Sequence, residues 1–144
     1  MTRATVIADA SFCSQTRAAG FAVWIRMDTM GEPIKHHGTF KTAPTNSTEA
    51  EVWAALNGVA IARSHGATDV LVQSDCTSVV IAMTSPETMR KITALPEAAE
   101  VLEGLRVQGR HVKGHTRGDT AARWVNNWCD TYAKLAMRKQ RKSL

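Results

Sequence analysis

Four acidic residues occupy places that surface solubility does not explain by itself: Asp9, Glu51, Asp75 and Asp130. In the run from Thr5 to Ser11, alternation puts Thr5, Ile7, Asp9 and Ser11 on one face and Val6, Ala8 and Ala10 on the other. Asp9 therefore lies inside a strand, where aspartate is disfavoured unless something binds it, although a hydrogen bond to a neighbouring loop is an alternative. Asp75 follows the apolar run Val70-Leu71-Val72, at the carboxyl end of a strand that reads as central, where open α/β sheets place ligands. The competing role for Asp75 is an ordinary helix N-cap. Glu51 has a similar competitor, because Thr48 and Glu51 have the spacing of a capping box. Asp130 falls within a helix, with Asn126 one turn before it and Lys134 one turn after, so an Asp130–Lys134 pair is its simplest alternative.

Together the four acids are more specific than any one of them. Two unit charges about 4 Å apart repel by about 4 kcal/mol at an effective dielectric of about 20. Carboxylates brought together in this way call for a bound cation, and hard oxygen ligands without a histidine or cysteine set favour Mg²⁺ or Mn²⁺ over zinc.

The elements that must position these acids follow from periodicity. Thr5–Ser11, Gly20–Arg26 and Ile34–Thr42 are strand-like runs separated by turns, an antiparallel meander. From Thr48 the apolar period becomes helical, through Val52, Ala55, Leu56, Val59 and Ala60, until His65-Gly66. A central strand at Val70–Val72 precedes a helix over Cys76–Met83, which Ser85-Pro86 breaks. Leu95-Pro96 starts another helix near Glu97, a strand follows at about Arg110 to Lys113, and a last helix runs from Ala121 to Lys139. The order is β-β-β-α-β-α-α-β-α: one α/β domain over residues 1–144, a five-stranded mixed sheet flanked by helices.

Composition narrows the class. With 144 residues, 44% of them hydrophobic, the chain suits one compact core. It lacks any apolar stretch near the roughly 20 residues of a membrane span, and shows no signal-like segment, so a soluble cytoplasmic protein is expected. Cys13, Cys76 and Cys129 are odd in number and lack zinc spacing, which points to reduced, mostly packed thiols. The net charge of +5 equals the five cations after Asp130, namely Lys134, Arg138, Lys139, Arg141 and Lys142. That cluster is either a polyanion footprint on the last helix or a solvated helix end complementing the dipole. Trp24, Trp53, Trp124 and Trp128 could stack bases, but their spacing favours packing in the core.

The ordered motifs resemble the type 1 ribonuclease H family over nearly the whole chain. Asp9-Ala10-Ser11 resembles its opening Asp-Gly-Ser, and Gly20 to Ile25 its glycine-led second strand. Ala50-Glu51-Val52 resembles the Ala-Glu-Leu helix start, and Gln73-Ser74-Asp75-Cys76 stands where the family has Thr-Asp-Ser. Val112-Lys113-Gly114-His115 matches Val-Lys-Gly-His, and Asn126, Cys129-Asp130 and Ala133-Lys134 resemble the pattern of the final helix.

The resemblance implies a ribonuclease H-like fold and hydrolysis of the RNA strand of an RNA·DNA hybrid by a monomer, leaving 5′-phosphate ends. It implies that Asp9, Glu51, Asp75 and Asp130 hold two Mg²⁺ ions, with Mn²⁺ an alternative, and that His115 helps a proton move or the product leave. The same match makes Ser11, Ser47, Thr48, Thr77 and Asn126 the candidate substrate contacts, and the neighbours Ala50 and Val52 select Glu51 over Glu49.

Several positions depart from the family pattern: Ala10 replaces a glycine, Ser47 and Thr48 an asparagine pair, and Thr77 a common glutamine. The segment from Ser85 to Gly109 is too short and too poor in Lys, Arg and Trp for a basic hybrid-gripping protrusion. The segment between His115 and Asp130 reads as a longer loop, carrying Arg117, Asp119, Arg123 and Trp124. The competing readings are a metal-dependent DNA nuclease or junction resolvase of the same broad fold, and a non-catalytic hybrid-binding module.

Overall fold

Alternation of apolar residues along the first three strands gives each two usable faces, and helices cover both. In the computed structural model, which describes residues 1–112 and 121–143, β1 (Arg3–Phe12), β2 (Ala19–Met27) and β3 (Ile34–Thr39) form the expected antiparallel meander. Helix α1 (Ser47–Ser64) then crosses one face to β4 (Asp69–Ser74), which pairs parallel to β1. Three short helices, α2 (Thr77–Ala82), α3 (Pro86–Ile92) and α4 (Glu97–Leu102), lead to β5 (Arg106–His111), parallel to β4. Helix α5 (Ala121–Ser143) packs on the opposite face, and the sheet order is β3-β2-β1-β4-β5.

The larger core lies under α1. Val6 and Ala8 of β1, Val23 and Ile25 of β2, Val70 and Val72 of β4, and Val52, Ala55 and Val59 of α1 are all buried there. Gly58 permits this approach, since a Cβ at that position would meet the side chain of Val6. The smaller core joins Ile7, Ala22 and Trp24 to Val125, Cys129 and Ala133 of α5. Gly20 plays the matching role, because a Cβ there would run into the α5 backbone at Ala133 and Met137.

Three local readings of the sequence need correction. Ser85-Pro86 does end α2, but the same residues also start α3: Ser85 Oγ accepts from Thr88 N at 3.2 Å and Pro86 opens the first turn. Strand β5 begins at Arg106, four residues before the expected start, because Val107 and Gly109 pair with Val70 and Val72 of β4. Arg123 and Trp124, which the sequence offers both to a loop after His115 and to the last helix from Ala121, lie in the first turn of α5. No helix among the described residues is long and apolar enough to cross a membrane.

Candidate metal centre

The parallel pairing of β1 and β4 builds the site. Val6 stands level with Val72 and Ile7 with Gln73, so extending the register sets Asp9 beside Asp75 at the carboxyl ends of the two central strands. Glu51, in the second turn of α1, reaches the same end. One carboxylate oxygen from each of Asp9, Glu51 and Asp75 lies within 4.8 Å of the others.

The backbone N–H of Ala10 ties the first two together, donating to Asp9 Oδ1 at 2.9 Å and to Glu51 Oε1 at 3.3 Å. Glu51 Oε2 is buried and has no hydrogen-bond partner among the described residues. A buried carboxylate oxygen without a donor carries a full desolvation penalty. Burial, reinforced by the Asp75 charge, pushes the Asp9 carboxyl well above the usual carboxylate range. Burial and the Asp9 charge do the same to Glu51. An orphaned oxygen and mutual repulsion are both relieved by a divalent cation, and the all-oxygen donor set suits a hard one. The residues present thus fit a metal.

The competing roles weighed for each acid come out differently. The α1 cap is Asn46, whose side chain accepts from Glu49 N at 2.8 Å, while Glu49 accepts from Thr45 N at 2.8 Å and Thr45 Oγ1 at 3.0 Å. Glu49 is therefore the capping acid, and the Thr48–Glu51 capping box does not form. Asp75 is not a cap either, since α2 is preceded by Cys76 and has no side-chain cap bond. Asp130 does make the simple pair, with its Oδ2 3.0 Å from Lys134 Nζ. It stands outside the 4.8 Å group, yet its charge is near enough to raise the Asp9 pKa.

The other expected site residues gather around this end of the sheet or fall outside the description. Ser11 is half-buried at the end of β1, opposite Gly20. Ser47 is exposed and Thr48 half-buried in the first turn of α1, and Thr77 is exposed at the start of α2. Asn126 is half-buried one turn before Asp130. His115 and Arg117 lie outside the described residues.

Two further residues adjoin the cluster, of which His111 has no counterpart in the sequence reading and Cys129 is the packed thiol expected there. His111 ends β5 opposite Ser74, with Nε2 3.2 Å from the backbone oxygen of Asp75. A strand taken to start at Arg110 leaves His111 near its beginning, away from the end that meets Asp75. Cys129 is fully buried with Sγ 3.7 Å from the Ile7 carbonyl, and burial plus the Asp9 charge hold its thiol protonated.

A mixed sheet ordered β3-β2-β1-β4-β5, with carboxylates at the ends of its central parallel strands, is the ribonuclease H arrangement. The sequence from residue 8 to 102 matches the family model described as reverse transcriptase-like, and the chain belongs to that family. The ribonuclease H-like fold that the motif resemblance implies is thus borne out.

The fold is shared with the N-terminal RNase H domain of Rv2228c from Mycobacterium tuberculosis, solved as a fusion with maltose-binding protein. The TM-score is 0.73 at 19% identity, with 99% of each chain covered. RNase H1 from the halophilic archaeon Halobacterium salinarum gives 0.69 at 19% identity, covering 95% of this chain and 98% of that one. LC11-RNase H1, solved in complex with an RNA/DNA hybrid, gives 0.65 at 14% identity, covering 95% and 98%. A search of curated proteins returns no significant match.

Proposed function

We infer that the chain is a metal-dependent endoribonuclease that hydrolyses the RNA strand of RNA·DNA hybrids and leaves 5′-phosphate ends. The observation that carries this is the Asp9–Glu51–Asp75 cluster, within 4.8 Å at the ends of two parallel strands, in a chain of this family. A hybrid complex of a protein sharing the fold supports the substrate class.

Asp9, Glu51 and Asp75 would hold Mg²⁺, with Mn²⁺ the alternative, and Asp130 completes a two-ion set from the α5 side. Bound there, divalent ions supply an activated water and offset the charge of the leaving 3′ oxygen. The Ala10 N–H orients Asp9 and Glu51, and Lys134 pairs with Asp130. His115 is assigned to proton movement or product departure. Ser11, Ser47, Thr48, Thr77 and Asn126 are assigned to the hybrid, which they flank from β1, α1, α2 and α5. A cytoplasmic monomer completes the reading.

Strand-labelled RNA·DNA hybrid, RNA duplex and DNA duplex, each incubated with Mg²⁺ or chelator, test it. RNA cleavage confined to the hybrid, dependent on metal and abolished by Asp75→Asn, is expected. Cutting of duplex DNA would place the chain with DNA nucleases or junction resolvases of this fold. Hybrid binding without cleavage in any metal would make it a non-catalytic binding module.

A further inference from the structure

Helix α5 has two flanks of opposite character. Val125, Cys129 and Ala133 face the sheet. Helical spacing puts Asn126, Asp130 and Lys134 on the flank toward the acid cluster, and Trp124, Trp128, Leu135 and Lys139 on the other. On that second flank the rings are joined rather than scattered. Trp24 of β2 meets Trp124 and Trp128 edge-on at 5.2 and 5.5 Å between ring centres. Trp128 and Tyr132 lie tilted at 4.6 Å, and His37 of β3 continues the row against Tyr132 at 4.7 Å.

The row is open to solvent at Trp124 and His37, while Trp128 and Tyr132 between them are half-buried against the α5-side core. Trp124 is 57% exposed and Leu135 50%, and His37 and Lys35 of the edge strand are exposed beside them. Cations interleave with the rings, with Lys35 Nζ 4.7 Å from the Trp24 ring centre and Lys139 further along α5. The three elements that build the surface, β2, β3 and α5, contain a single acid, Asp130, and it belongs to the opposite flank. Aromatic faces for bases and cations for a backbone are what a single strand of nucleic acid requires, and the nearest acids of the same hairpin, Asp28 and Glu32, lie in the connection between β2 and β3.

We propose that the Trp124–Trp128–Tyr132–His37 row, with Lys35 and Lys139, is a second binding surface that takes single-stranded nucleic acid by base stacking, separate from the acid cluster. It goes beyond the proposed hydrolysis and needs neither the carboxylates nor a metal. Unpaired bases stack on the exposed Trp124 ring, and phosphates lie along Lys35 and Lys139. Its place across α5 from the carboxylates suits a strand running off a duplex rather than the duplex itself.

The test uses the full chain in chelator, with a fluorescein-labelled oligothymidylate about 15 nucleotides long. Anisotropy reports binding and intrinsic tryptophan emission reports stacking. Binding with quenched emission is expected, and Trp124→Leu weakens it about tenfold while Trp124→Phe restores most of it. Lys35→Gln lowers the salt slope by about 0.7. Glu51→Gln leaves binding unchanged, and Trp124→Leu leaves cleavage of a short blunt hybrid unchanged. Three results would overturn the proposal: no binding by the parent protein, equal binding by Trp124→Leu, or loss of binding on Glu51→Gln. Concentration-dependent dimerisation abolished by Trp124→Leu, seen by sedimentation, would assign the surface to a second copy instead. Failure of cleavage alone would overturn only the enzymatic reading.

Discussion

The two faces of the sheet divide the work of the molecule. Under α1, Val6, Val23, Ile25, Val52, Val59 and Val72 are fully buried, in a continuous apolar core. Under α5 the buried set is small, Ile7, Ala22, Trp24, Val125, Cys129 and Ala133, and Asp9 shares its strand face with Ile7. A carboxylate is costly on a face with a dense apolar layer. The thin layer under α5 leaves room for Asp9 at the strand end, while the α1 layer supplies the stability that the clustered carboxylates remove. Stability and chemistry are thus separated by one sheet thickness.

The comparison is broken most severely at Glu51, the one acid that reaches the cluster from the α1 side. Glu51→Gln is expected to lower Mg²⁺-dependent hybrid cleavage by more than about a hundredfold, as loss of a metal-site carboxylate should exceed loss of a supporting partner. Glu49→Gln, two residues away, keeps an oxygen that accepts from Thr45 but removes its charge, costs about 1 kcal/mol in urea unfolding and spares most activity. Equal activity loss in the two variants would mean that the acid cluster is not the site.

Next in size is the packing difference itself. Ile25, fully buried under α1, should cost about 4 kcal/mol on truncation to Ala, toward the upper end for such changes. Ile7, 9% exposed under α5, should cost about 2 kcal/mol, because a thinner layer collapses more easily around the gap. Urea titrations of both variants give the order, and a reversal would move the main core to the α5 side.

The metal-free protein carries a pH signature of the same division. Burial and neighbouring charge raise Asp9 to about 7 and Glu51 to about 9. Groups whose folded pKa is raised favour the folded state while protonated. That stability is fully present below the unfolded carboxylate value of about 4. It is lost as pH rises through the folded values. In chelator, the Tm of the parent should therefore fall relative to Glu51→Gln between about pH 4 and 9, and Mg²⁺ should recover the difference. A constant offset across this window would show that Glu51 is not desolvated.

Legibility in the sequence followed the strength of local patterns. The meander, α1 and α5 rest on periodic runs and β4 on the short apolar run Val70–Val72; each is observed where expected, with α5 extending past Lys139 to Ser143. Helix α3 was missed because Ser85-Pro86 stops one helix and starts the next, and a proline reads equally as either. Asp9 and Asp75 were readable from strand context, since an acid inside or just after an apolar strand has few other reasons to be there. Spacing alone does not separate the Glu49 and Glu51 roles; the neighbours Ala50 and Val52 select Glu51, and the structure agrees, with Glu49 in the Asn46–Thr45 cap and Glu51 beside Asp9. Trp124 was expected in the core, and its exposure depends on which α5 flank meets β2, a tertiary fact that helical periodicity does not contain.

The smallest effect concerns Asp130, on the flank of α5 that faces the acid cluster. Its pair with Lys134 is partly exposed, with side chains 34% and 47% accessible, and is worth only about 0.3 kcal/mol to the fold. Lys134→Ala should therefore leave the urea midpoint nearly unchanged. Its consequence is electrostatic. With the cation gone, the Asp130 charge acts undiminished on Asp9, and the cluster holds a divalent cation more tightly. A modest fall, about twofold, in the Mg²⁺ concentration for half-maximal thermal stabilisation is expected. A rise would mean that Lys134 positions Asp130 more than it neutralises it, and would tie the flank of α5 that carries Asn126, Asp130 and Lys134 more closely to the site than the three central carboxylates require.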